Sequence, residues 1–167
     1  LYVEDEDANW EVLRLNLART YKLVRARNSK KAFSLLETSE FDLILMDIQL
    51  TGSDFNGIEI AQCLRGNRIE PEHFVANPKT SNIPIIFVTA YPYTQEDVQD
   101  IGGNNVVHKP VDFRDLSLLI KLYLDPEYDP ILTPAQITEL EIKQDVATSE
   151  IPQLEPSTPE LPVEPIS

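Results

Sequence analysis

Five residues of this chain could do chemistry together if one edge of a fold collected them. Each closes or soon follows a short apolar stretch: Glu4 and Asp5 after Leu1 to Val3, Asp47 after Phe41 to Met46, Thr89 after Ile83 to Val88, and Lys109 after Val106 and Val107. Three gathered carboxylates repel one another and raise each other's pKa unless a cation intervenes. A hard divalent ion such as Mg2+ takes that place, with a few carboxylates, a carbonyl and waters as ligands. The other two groups suit a tetrahedral oxyanion, Lys109 neutralising its charge and the Thr89 hydroxyl donating a hydrogen bond. A carboxylate beside a metal and an ammonium is in turn a reasonable nucleophile toward phosphorus.

The elements that must position these groups alternate between strand-like and helix-like patterns. Leu1 to Val3 is a short apolar run, and Asp7 can cap a helix with Trp10, Leu13 and Leu17 on one face. Tyr21 to Val24 is a weak second strand, after which Ser29 can cap a helix holding Ala32, Leu35 and Leu36. Phe41 to Met46 and Ile83 to Val88 are nearly continuous apolar sequence, as strands buried on both faces require. Ile58 to Leu64 reads as helix between them. Val98 and Ile101 mark a short helix stopped by Gly102 and Gly103, Val106 and Val107 a last strand, and Asp112 caps a final helix with Leu116, Leu119, Ile120 and Tyr123. The fold class is therefore α/β: a doubly wound, five-stranded parallel sheet of flavodoxin-like (β/α)5 form. In such sheets the binding crevice lies outside the carboxyl ends of the strands, where the five groups stand.

Composition bounds the rest. The chain has 167 residues, of which 42% are hydrophobic, enough for one packed core. Its formal charge is −14, but the segment from Asp125 onward holds ten acids, one base and eight of the 13 prolines. The expected organisation is one domain over 1–124 and an acidic, proline-rich tail over 125–167. That tail is expected to be largely disordered, with a candidate short helix at 134–146 capped by Thr133. So acidic a surface repels phosphate backbones and argues against direct nucleic-acid binding. No apolar run reaches membrane-spanning length. The lone Cys63 cannot form an internal disulfide, which fits a reducing, cytoplasmic setting.

The fragments Tyr2-Val3-Glu4-Asp5, Leu45-Met46-Asp47, Gly57-Ile58-Glu59, Val88-Thr89-Ala90 and His108-Lys109-Pro110-Val111 together resemble the response-regulator receiver family of two-component signalling. They occur in that family's order and nearly its spacing over residues 1 to 124. The resemblance implies that Asp47 accepts a phosphoryl group from a sensor histidine kinase or phosphotransfer domain and so switches binding to a downstream protein partner. It implies Mg2+ held by Asp5, Asp47 and the backbone carbonyl of Gln49, with Glu4 acting through water. Thr89 and Lys109 would contact the phosphoryl oxygens, the Lys109–Pro110 bond would be cis, and a homodimer is one mode of assembly. The chain would carry phosphoacceptor chemistry without being an enzyme in its own right.

Three features depart from that pattern. The loop after Asp47 is about two residues longer, Val106 replaces a tyrosine or phenylalanine that rotates on activation, and the connection from Gly66 to Asn82 is long. These motivate an alternative, a constitutive receiver-like interaction module with little phosphorylation. A haloacid-dehalogenase phosphatase would need an Asp where Gln49 stands, and a nucleotide-binding flavodoxin-like protein would need a glycine-rich loop after the first strand. Asp5, Asp7 and Asn9 imitate an EF-hand start, but Trp10 occupies the glycine position. His73 and His108 have no metal-type partners at helical spacing.

Overall fold

The computed structural model describes residues 1–68 and 74–125. His73, the candidate helix at 134–146 and all of the expected tail beyond Asp125 lie outside the described residues. In chain order the elements are β1 (Tyr2–Val3), α1 (Asp7–Leu17), β2 (Arg25–Ala26), α2 (Ser29–Thr38), β3 (Ile44–Met46), α3 (Gly57–Leu64), α4 (Pro78–Ser81), β4 (Ile85–Thr89), α5 (Gln95–Asp100), β5 (Asn105–His108) and α6 (Phe113–Leu124). All strand pairs are parallel and the sheet order is β2-β1-β3-β4-β5. This is the doubly wound, flavodoxin-like order, with the chain reversing direction between β1 and β3.

Successive strand residues face opposite sides of the sheet, so the apolar runs feed two cores. Val3, Ile44, Met46, Ile85 and Phe87 pack under α2, α3 and α5, whose contributions include Phe33, Ile60, Leu64 and Val98. Tyr2, Leu45, Ile86 and Val88 pack with Leu13 and Leu17 of α1 and Leu116 and Ile120 of α6 on the other side. Cys63 is buried in the first core, as a small apolar residue would be. Trp10 lies at the edge of the second, its ring 6.4 Å from that of Tyr2.

Local expectations shift in three places. The second strand forms at Arg25–Ala26 instead of Tyr21 to Val24, because Tyr21 and Leu23 turn into the second core while Val24 contributes only its carbonyl to Tyr2 N–H. Asn28, not Ser29, caps α2 by accepting from Lys31 N–H, and α1 begins after Glu6 with no side-chain cap. The long connection after α3 contains the single turn α4, closed by a capping box between Asn77 and Thr80. Phe74 enters the first core from this connection, 4.7 Å from the ring of Phe33, so its described part is packed onto the domain. The α5 stop is as expected: Gly102 has φ 91°, and Gly103 N–H returns to the Val98 carbonyl.

Candidate functional site

Parallel register delivers the expected groups to one edge. Val3 pairs with Met46 and Thr89 with His108, so Glu4, Asp47 and Lys109 are the next residues out on their strands. Lys109 Nζ donates to Asp47 Oδ2 at 2.6 Å and to Glu4 Oε2 at 3.0 Å. One oxygen from each of Glu4, Asp5 and Asp47 falls within a 4.8 Å group. Asp5, Asp47, Gln49, Thr51, Tyr91 and Lys109 line an open cleft here. The peptide bond between Lys109 and Pro110 is cis, as expected.

The surroundings of each acid differ. Glu4 is fully buried; its Oε2 accepts from Tyr2 Oη at 2.6 Å and its Oε1 from Glu6 N–H at 3.0 Å. It is therefore the fixed counter-ion of Lys109, held by a tyrosine that lies two residues back on the same face. Asp5 is half-buried, and its Oδ2 accepts from Thr51 N–H at 3.0 Å. Asp47 is 7% exposed, and its Oδ1 accepts from Gln49 N–H at 3.1 Å. Burial pushes the Asp47 carboxyl above the usual carboxylate range although Lys109 opposes the shift. Burial works against the Lys109 charge, yet Asp47 and Glu4 together hold its pKa above the ordinary lysine value. Burial and then Glu4 raise the Tyr2 hydroxyl well beyond its usual range, so it remains a donor.

Thr89 is fully buried, and its hydroxyl oxygen accepts from Tyr91 N–H at 3.1 Å, which leaves the hydroxyl hydrogen to donate elsewhere. Tyr91 reaches across the cleft and donates from Oη to Gln49 Oε1 at 3.2 Å. The lengthened loop after Asp47 is tied down, with Ser53 Oγ accepting from Ser29 N–H and Ser29 Oγ from Phe55 N–H. Gly57 starts α3 directly against the acceptor strand; a Cβ there would lie 2.0 Å from the Asp47 carbonyl oxygen. His108 is exposed, with Nε2 3.0 Å from the Tyr93 carbonyl.

All five expected chemical groups thus meet at this edge. Sequence reasoning missed the anchoring role of Tyr2, though period-two alternation places it on the face of Glu4. It also missed the backbone N–H of Thr51, for which no side-chain signal exists.

The model of the family described as "Response regulator receiver domain" matches residues 1–121. The chain belongs to this family. The receiver domain is 32% identical over 119 residues to an uncharacterized transcriptional regulatory protein, YrkP, of Bacillus subtilis, covering 70% of this chain and 45% of that protein. It is 29% identical over 157 residues to the aerobic respiration control sensor protein ArcB of Escherichia coli, covering 93% of this chain and 18% of that one. The chain thus spans less than half the length of these curated relatives. Among solved structures, the receiver domain of the sensor histidine kinase PA1611 of Pseudomonas aeruginosa, described with a magnesium ion in its active-site cleft, superposes with a TM-score of 0.61 at 22% identity. That likeness covers 74% of this chain and 93% of the other and concerns the fold. Receiver domains are phosphoacceptor signalling modules of two-component systems. Among the described residues, no helix is long and apolar enough to cross a membrane.

Proposed function

We propose that Asp47 of this receiver domain accepts a phosphoryl group from the phosphohistidine of a sensor histidine kinase or phosphotransfer domain, in the cytoplasm, and that phosphorylation alters binding to a downstream protein. The observation that carries this reading is the contact of Asp47 Oδ2 with Lys109 Nζ at 2.6 Å, beside Glu4 and Asp5. In the transfer, a carboxylate oxygen attacks phosphorus, the phosphorus–nitrogen bond breaks, and its electron pair leaves on the imidazole nitrogen, which takes a proton. Lys109 is placed to follow the negative charge from Asp47 to the phosphoryl oxygens while Glu4 keeps it at the edge of the sheet. Thr89 has its hydroxyl hydrogen free for the same oxygens.

The donor set is all oxygen, as a hard cation requires. Asp5, Asp47 and the Gln49 carbonyl would hold Mg2+, with Glu4 contributing through water. A bound Mg2+ would offset the charge of the acids and of the incoming phosphoryl group.

Intact-mass measurement after incubation with acetyl phosphate tests the proposal. A gain of about 80 Da that requires Mg2+ and is lost in Asp47→Asn is expected. No gain in wild type would favour the constitutive interaction module. Val106, partly buried against the first core, is the observation that keeps that alternative in view.

A further inference from the structure

Arg25 is one residue of a two-residue strand, yet its side chain reaches over the end of β1 to the acids. The guanidinium Nε donates to the Glu4 carbonyl at 2.8 Å, Nη2 to the Asp5 carbonyl at 2.8 Å, and Nη1 to Asp7 Oδ1 at 2.6 Å. The side chain is only 9% exposed, and its Cζ stands 5.8 Å from the centroid of the Trp10 ring. The ladder between β1 and β2 ends with Glu4 N–H on the Ala26 carbonyl at 2.9 Å. Beyond that point the fork of Arg25 serves the Glu4 carbonyl, which a longer β2 would have reached, and the Asp5 carbonyl after it.

We infer that Arg25 is a positioning residue for the acid pair, fixing the backbone of Glu4 and Asp5 so that their carboxylates converge with Asp47. The inference rests on the metal-binding reading above. Two independent ties then fix Asp5: Arg25 holds its main chain and Thr51 N–H holds its carboxylate. A planar fork with five donors in fixed directions can span two successive carbonyls and a carboxylate; a lysine ammonium on a flexible stem cannot reproduce that spread. Groups that orient metal ligands without touching the metal commonly change its affinity by about ten- to a hundredfold when lost.

Charge and position pull in opposite directions, which makes the role separable. Removing a cation beside an anionic site should tighten Mg2+ binding if charge alone mattered. Loss of orientation should weaken it. Calorimetric titration of Mg2+ into the full chain decides between them, using wild type, Arg25→Lys and Arg25→Met, with circular dichroism to confirm folding. Both variants are expected to raise the Mg2+ Kd about tenfold, and acetyl phosphate labelling should slow at limiting Mg2+ and recover at saturating Mg2+. Wild-type affinity in Arg25→Lys with tighter binding in Arg25→Met would overturn the inference, as would unchanged affinity accompanied only by a lower Tm. Arg25→Lys keeps stem and charge, so it settles the question alone if Arg25→Met does not fold. Absence of Mg2+ binding in wild type would instead overturn the metal site itself, and this role with it.

Discussion

Two partly buried cations sit at opposite ends of the sheet, and their surroundings differ in kind. Lys109, beyond the carboxyl end of β5, faces the carboxylates of Glu4 and Asp47. Arg65, at the end of α3, lies against the amino ends of β4 and β5. It donates to the carbonyls of Ser81 at 2.6 Å, Ile83 at 2.9 Å and Gly102 at 2.9 Å, and to Asn104 Oδ1 at 3.1 Å. Charge therefore concentrates on Lys109 from two sides, and its pKa rises, whereas burial among neutral oxygens lowers that of Arg65. A cation balanced by charge can be redirected by new charge. One spread over the neutral dipoles of two segments, 81–83 and 102–104, is fixed by geometry and ties both to the end of α3. One end of the fold is built to respond and the other to stay put.

The contrast can be broken by substitution. The largest effect is expected from Lys109→Met, which should slow acetyl phosphate labelling by at least about a hundredfold, the usual cost of losing one oxyanion donor. Its unfolding free energy should fall as well, because buried Glu4 and Asp47 lose their cation. In urea titrations that loss should shrink as falling pH protonates the acids; a pH-independent loss would dissolve the distinction. Arg65→Met leaves several acceptors without a donor and should cost about 2–3 kcal/mol, with the Mg2+ Kd unchanged. A shifted Kd would show that the two ends communicate.

Tyr2→Phe should cost about 1.5 kcal/mol, the low end for a hydrogen bond to a charged group. It also carries a pH signature. The folded-state pKa of Tyr2 is raised, so its contribution is complete below the unfolded value of about 10 and is lost as pH rises above it. Lys109 behaves with the same sign. Wild-type urea midpoints should therefore fall from pH 9 to 11, and Tyr2→Phe should flatten that fall; an identical slope would remove Tyr2 from the network. The smallest effect on stability, within about 0.5 kcal/mol, belongs to the exposed Tyr91→Ala. Its phosphoryl group should nonetheless decay faster, because the bridge from Tyr91 to Gln49 across the cleft is gone. An unchanged decay rate would deny Tyr91 any shielding part.

The responsive end was the more legible in sequence, and the reason is physical. Asp47, Thr89 and Lys109 announce themselves as polar groups at the ends of apolar runs, and a parallel sheet must gather such ends. Asn28 and Ser29 are both good cap formers, so sequence alone chose the wrong one; the structure spends Ser29 on the loop at Phe55. The loop after Asp47 departs from the family pattern in length, yet it contributes Thr51 N–H to Asp5. Arg25 and Arg65 gave no signal, since most of what each binds is backbone carbonyl, which no residue type marks. The second strand misled because Tyr21 to Val24 is the more apolar stretch, while the ladder forms one step later at Arg25.

The chain contains one tryptophan. Trp10 lies against Tyr2 and under the guanidinium of Arg25, and those two residues hold the side chain of Glu4 and the backbone of the acid pair. Indole fluorescence responds to nearby charge and to small changes in packing. The molecule therefore carries a built-in optical probe one side chain removed from its acidic cleft, and the emission of unlabelled protein should report, in real time, when that cleft fills and empties.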